Sequence, residues 1–200
     1  TLARVVREVK DFEREGPSPK LRFLLASANA GIMAATNEAV DAAQVSMLVS
    51  IYAVTILLCW LTFRSWKATV CIIVPLVIVS VLCNALMVLL GIGLKVSTLP
   101  VIALGVGVGV DYGIYLFERM QESLASGLGL PEAFHKALKE RGAAAVFTSL
   151  TMSIGVGSWA FSALKFQSDM GLLLSFMFLV NMLGAVFLLP AIAAFLIKPR

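Results

Sequence analysis

Two hundred residues, 60% of them hydrophobic and only 14% charged, give a mean hydropathy of +0.94. Soluble domains hold about 45–50% apolar and about 25% charged residues, so this composition excludes a soluble globular domain and indicates a polytopic membrane protein. The net charge of +4 falls mainly in short loops between apolar runs, which speaks for membrane topology and against a nucleic-acid partner.

The chain opens on Thr1, and its first stretch carries Arg4, Arg7, Glu8, Lys10, Asp11, Glu13, Arg14 and Glu15. It has no apolar core of the signal-peptide kind, so the natural start is expected upstream. Residues 1–44 read as a water-facing segment, with six basic residues balanced by six acidic ones. Leu2, Val5, Val6, Val9 and Phe12 recur at helical spacing, and Gly16-Pro17-Ser18-Pro19 ends that helix. A second helix is expected to begin near Thr36 or Asn37 and to run on into the first apolar span.

Five spans follow, at about 45–63, 68–90, 98–117, 143–161 and 170–197. Each is close to the roughly 20 residues that cross a bilayer core, the fifth being overlong. The expected fold class is an all-α membrane protein, a five-helix bundle behind a short extracytoplasmic segment. Pro75 and Pro190 are tolerable in such helices where neighbours satisfy the freed backbone groups. Cys59, Cys71 and Cys83 all lie inside apolar spans, and their spacing suits neither a metal site nor a disulfide framework; they read as small hydrophobes.

Loop charges orient the bundle. Arg64, Lys67, Arg119, Lys136, Lys139, Arg141, Lys198 and Arg200 share one side, whereas the opposite loops hold only Lys95 and Lys165. Eight against two predicts a cytoplasmic location for the first set and for the C-terminus. Residues 1–44 are then extracytoplasmic. Between the third and fourth spans, Leu130, Ala133, Phe134, Ala137 and Leu138 predict an amphipathic cytoplasmic helix over about 130–141. Pro131 suits its first turn and Gly142 its exit. Lys136, Lys139 and Arg141 fall on its polar side, as on a helix resting in the headgroup layer, and His135 reads as solvated.

The third span carries the chemistry. Asp111 lies about four residues past the middle of an otherwise uncharged run, on the order of 5 Å from the midplane. A carboxylate there costs at least ~2.5–3.5 kcal/mol on insertion scales, and nothing in helix formation offsets that. Desolvation disfavours its charged form, so the residue reads as an acid that exchanges a proton. Tyr112 adds a hydroxyl about 100° around the helix. Gly105, Gly109 and Gly113, four residues apart, form a strip for close helix packing. Gly107, Tyr115 and Glu118 share Asp111's own face, and Glu118 is a candidate proton exit.

In the fourth span Thr148, Thr151, Gly155 and Ser158 make a small polar stripe. Thr148 and Thr151 are candidate support for the relay, although such hydroxyls also bond their own helix backbone. Asn84 and Asn181 read as interhelical hydrogen bonds. With no Walker A sequence, no GxSxG and a single histidine, neither an enzyme, a cofactor nor a metal site is expected. The run Gly105-Val-Gly-Val-Gly109 lacks the preceding strand of a nucleotide loop.

At Gly105-Val-Gly-Val-Gly-Val-Asp111-Tyr112-Gly113 the sequence resembles the resistance-nodulation-division (RND) superfamily, in its MmpL-like, predicted-exporter branch. That branch carries GxxxDYG in its fourth and tenth transmembrane helices. The likeness continues through Ala143-Ala-Ala-Val-Phe-Thr148-Ser-Leu-Thr151 and Phe166-Gln-Ser-Asp169-Met-Gly171. The resemblance implies the C-terminal transmembrane half of such a transporter, with residues 1–44 ending a porter-type domain. It implies that Asp111 and Tyr112 are the proton-relay pair of the tenth helix, their counterparts lying in an N-terminal half of the same polypeptide. The implied function is proton-driven export of hydrophobic or amphiphilic molecules across a bacterial inner membrane. Implied partners are protons, membrane lipids, a lipid-like or drug-like substrate, and a homo-oligomer or periplasmic protein. A sterol-sensing-like module that binds lipid without pumping is the alternative.

Overall fold

The computed structural model describes residue 8, residues 29–92 and residues 98–196. Among these there is no strand; the elements are α1 (Asn29–Phe63), α2 (Trp66–Leu89), α3 (Leu99–Ala125), α4 (Leu130–Ala137), α5 (Ala143–Gly157), α6 (Lys165–Leu183) and α7 (Leu189–Leu196). A π-helical turn, Leu138–Gly142, joins α4 to α5, and another, Gly184–Leu188, joins α6 to α7; a 3-10 turn, Ser158–Phe161, closes α5. Five stretches are long and apolar enough to cross a membrane: Ala43–Phe63, Trp66–Leu89, Pro100–Ala125, Leu130–Phe161 and Lys165–Leu196. The chain divides into two compact units, Thr1–Val45 and Ser46–Arg200. In the first, the predicted helix over residues 2–12 and the Gly16–Pro19 turn lie outside the described residues, Glu8 apart. The second helix starts at Asn29 rather than near Thr36, because the alanine-rich run ahead of Thr36 favours helix in its own right.

The second unit is a bundle in which α2, α3 and α6 are central. About half of the most apolar window of each is buried, against 11% for the first span and 17% for the fourth. That difference follows from side-chain patterning. Cys71, Ile72, Leu76, Val79, Cys83 and Met87 line one flank of α2 and are all buried. They meet Val101, Ile102 and Val106 of α3 and Leu173, Leu174 and Met177 of α6 in a single apolar cluster. The free cysteines Cys59, Cys71 and Cys83 are fully enclosed there, packing as the small hydrophobes their positions suggested. Phe63 meets Phe117 edge-on at 5.3 Å. The outward faces of α1 and α5 remain apolar, with Leu57, Leu61, Phe147 and Ile154 more than half exposed, as surfaces bathed in lipid require.

Between helices the glue is small residues and hydroxyls. A Cβ on Gly171 would lie 2.7 Å from Trp159 Cβ and 2.8 Å from Val156 O, so only glycine lets α6 come this close to α5. Along the same seam Ser149 donates to Phe178 O (2.9 Å), Ser153 to Ser175 O (3.2 Å) and Ser175 to Ser153 O (2.9 Å). Asn181 donates from α6 to Gly105 O of α3 at 2.8 Å, the interhelical bond its position suggested. Asn84 instead donates to Ser80 O one turn back on α2, at 3.1 Å.

Three boundaries differ from the sequence expectation. Helix α3 continues eight residues past Phe117, so most of the expected 118–142 loop is helical. Gly142 is no exit either: the chain passes through it, still helical, into α5. Its missing side chain instead makes room for Leu138, whose Cδ1 would lie 2.7 Å from a Cβ. The fifth span begins at Lys165 rather than Met170. Its excess length is absorbed where Pro190 falls one residue into α7. Proline removes an N–H and crowds the carbonyl four residues back, and the widened π turn just before it relieves both effects.

Candidate functional site

The midpoint of α3 by residue count falls at Tyr112, so Asp111 and Tyr112 stand halfway along a helix built to cross a membrane. The two side chains differ sharply. Tyr112 is 2% exposed, packed with Leu116, Ala145 and Ala185. Asp111 is exposed. The helical repeat explains this, since residues adjacent in sequence point about 100° apart.

Both border one cavity of about 410 Å³ between α3 and α5. From α3 come Val108, Asp111, Tyr112 and Tyr115; from α5 come Ala144, Ala145, Thr148 and Met152; from the π turn comes Arg141. Alanines on α5 leave the space open, and Val108 and Met152 make its walls apolar.

Within it the polar groups have unused bonding capacity. Among the described residues Asp111 makes no ion pair, the pairs there being Arg119–Glu122, Arg119–Glu140 and Lys165–Asp169. The Tyr112 hydroxyl is buried without a partner in hydrogen-bonding geometry among the described residues. Ser149 lies beside it, its own proton already given to Phe178 O, so its oxygen can still accept one. A buried donor with nothing to bond costs about 1–3 kcal/mol, a cost a shift of Ser149 would remove.

The other expected site residues separate into groups. Thr148 joins Asp111 at the cavity. Thr151 does not; its hydroxyl donates to Phe147 O at 2.8 Å, and Ser158 likewise returns to Gly155 O at 2.7 Å. Glu118 is exposed and outside the lining. The glycine strip packs against the core: Gly105 faces Met177, Gly109 faces Asn181 and Gly113 faces Ile72, whereas Gly107 faces open space. One side of α3 is therefore sealed by packing and another carries an open carboxyl. Two contributors went unseen in the sequence. Arg141, expected on the polar side of a helix resting in the headgroup layer, lines the cavity instead, and Ser149 sits one residue from the polar stripe of the fourth span. Among the described residues no three of His, Cys, Asp or Glu gather as metal ligands would.

The MMPL family model matches residues 2–198. The putative membrane protein MJ1562 of Methanocaldococcus jannaschii is 26% identical over 192 residues, covering 96% of this chain and 49% of its own length. The probable transport protein MmpL8 of Mycobacterium bovis is 27% identical over 148 residues, 70% of this chain and 14% of that protein. The membrane protein YdfJ of Bacillus subtilis is 29% identical over 89 residues, 44% of this chain and 12% of that protein. The chain thus spans about half the length of the first relative and far less of the others. It is a multi-pass membrane protein, and it belongs to the MMPL family.

Proposed function

We propose that this chain is the energy-coupling membrane part of an RND-type transporter that exports hydrophobic or amphiphilic molecules by admitting protons. The observation that carries the reading is an acid that has no ion partner among the described residues and borders a largely apolar cavity at the centre of a membrane-crossing helix. Such a carboxyl is costly in hydrocarbon and has no ion partner among the described residues to justify it. Protonation makes it neutral and removes that cost. A bundle whose stability changes with one proton can be rocked by a proton gradient. Tyr112, with its buried hydroxyl, and Thr148 stand where they can relay or orient that proton.

The rest of the reading follows the same logic. The basic loops lie in the cytoplasm and residues 1–44 outside it, as the end of a porter-type domain, and the membrane is a bacterial inner membrane. The open face of Asp111 is covered by the remainder of a longer polypeptide, since MJ1562 is about twice this length. Cargo enters from the lipid, and a homo-oligomer or periplasmic protein completes the assembly. The likeness to MmpL8, a probable transport protein, supports transport over catalysis.

The test uses inverted membrane vesicles containing the full-length protein, an imposed proton gradient and Nile red as a hydrophobic probe. Dye movement above that of protein-free vesicles is expected to need the gradient and to vanish when a protonophore collapses it. Movement that persists after collapse overturns the reading. Dye binding with no gradient-dependent movement overturns it too, and would indicate a lipid-binding module without pumping.

A further inference from the structure

Two cations, Arg64 and Lys67, are exposed where the first two spans join. Helix α1 ends at Phe63 and α2 opens at Trp66, so only Arg64 and Ser65 connect them. The Arg64 N–H donates to Trp60 O at 2.8 Å, and its φ is +48°. This is the left-handed cap that closes many helices, a position that glycine fills without strain. The sequence places an arginine there instead. Lys67 lies in the first turn of α2, where the helix dipole disfavours a cation and no acid offsets it.

Neither cation has an ion partner among the described residues, and from position 42 to 110 the sequence holds no Asp or Glu. The edge-on contact of Phe63 with Phe117 sets the turn level with the place where the apolar run of α3 gives way to charge. Arg119, two residues further along α3, is by contrast held by both Glu122 and Glu140. Two tryptophans flank the turn. Trp60 and Trp66 have ring centroids 6.2 Å apart and are 39% and 64% exposed. Indoles of this kind favour the boundary between acyl chains and water. Along α1 below them Leu57, Leu58 and Leu61 are exposed as well. The patch is thus aliphatic, then aromatic, then doubly positive, in that order towards the turn. An acidic protein segment would match the charges alone. A phospholipid with an anionic headgroup matches all three.

We propose that the turn at residues 64–67 is a docking site for an anionic phospholipid, whose phosphate is bound by Arg64 and Lys67 while its chains lie against Trp60 and Trp66. A guanidinium takes phosphate through two parallel N–H bonds. The site stands apart from the proton relay, since none of these residues lines the cavity at Asp111.

The experiment uses the purified full-length protein in nanodiscs of phosphatidylcholine and phosphatidylglycerol, one of the two carrying brominated acyl chains that quench nearby tryptophans. The emission lost in a Trp60→Phe, Trp66→Phe double variant is assigned to the turn. Its quenching is expected to show phosphatidylglycerol enriched there over phosphatidylcholine. Arg64→Gln and Lys67→Gln should each lower that preference about fivefold, and Arg64→Lys should keep most of it. Arg64→Gly separates binding from folding. It frees the cap of its left-handed side chain, so the variant should melt no lower than the parent and yet lose the preference. Equal quenching by the two lipids in the parent protein overturns the proposal, as does an Arg64→Gly protein that keeps the preference. Quenching by neither lipid overturns it too, and indicates that a protein segment covers the turn. The transport reading is untouched by any of these results.

Discussion

Asp111→Asn in the full-length protein is expected to abolish proton-coupled dye transport, by at least about 100-fold, while leaving the melting temperature of the detergent-solubilised protein unchanged or raised. The two halves of that expectation have separate causes. Asparagine matches aspartate in size but cannot exchange a proton, so a step that requires protonation stops. Stability survives because the carboxyl anchors nothing among the described residues: it forms no ion pair there, and its face of α3 borders an open cavity. Removing a charge from membrane depth, if anything, relieves an insertion cost. A purely structural acid would behave oppositely, with activity and melting temperature falling together. That joint fall would sink the relay, as would normal transport by the variant. Asp111→Glu, which keeps an acid one methylene further out, should retain part of the activity.

Much of this was legible because membranes impose strict rules on sequence. An uncharged apolar run of about twenty residues has few fates besides a spanning helix, and all five runs became membrane-length helices. The lone acid stood out for the same reason, since little else explains a carboxyl at that depth. What escaped was information that hydropathy does not carry. A helix leaving the apolar run looks polar whether it unwinds or continues, so the eight extra residues of α3 and the helical passage through Gly142 were invisible. Arg141 was hidden similarly: counting loop charges orients a bundle but cannot show that one of them turns back into a cavity. Thr148 and Ser149 show the limit at single-residue scale. Adjacent in sequence, they face different partners, the first the cavity and the second Phe178 O of α6, and only packing decides which hydroxyl does which.

Gly109→Ala should produce a large loss of stability, about 3 kcal/mol, while Gly107→Ala, two residues earlier on the same helix, should produce none. A Cβ on Gly109 would lie 2.5 Å from Asn181 Cγ and 2.8 Å from its Oδ1. Asn181 cannot retreat cheaply. It is buried, its amide is held to Gly105 O at 2.8 Å, and the adjoining void of about 10 Å³ is no larger than about one water-sized probe. One added methyl therefore incurs overpacking of about 1–3 kcal/mol. It also strands a buried amide at about 1–3 kcal/mol more. At Gly107 nothing lies within 4 Å of the new Cβ, and alanine is the better helix former by roughly 1 kcal/mol. Unfolding in mixed micelles measures both variants. Adding Asn181→Ala to Gly109→Ala should recover part of the loss, because the clash and the stranded amide share one side chain. Equal stability of the two glycine variants would mean that α3 and α6 do not meet along this strip, and the separation of a packed face from a titrating one would fall with it.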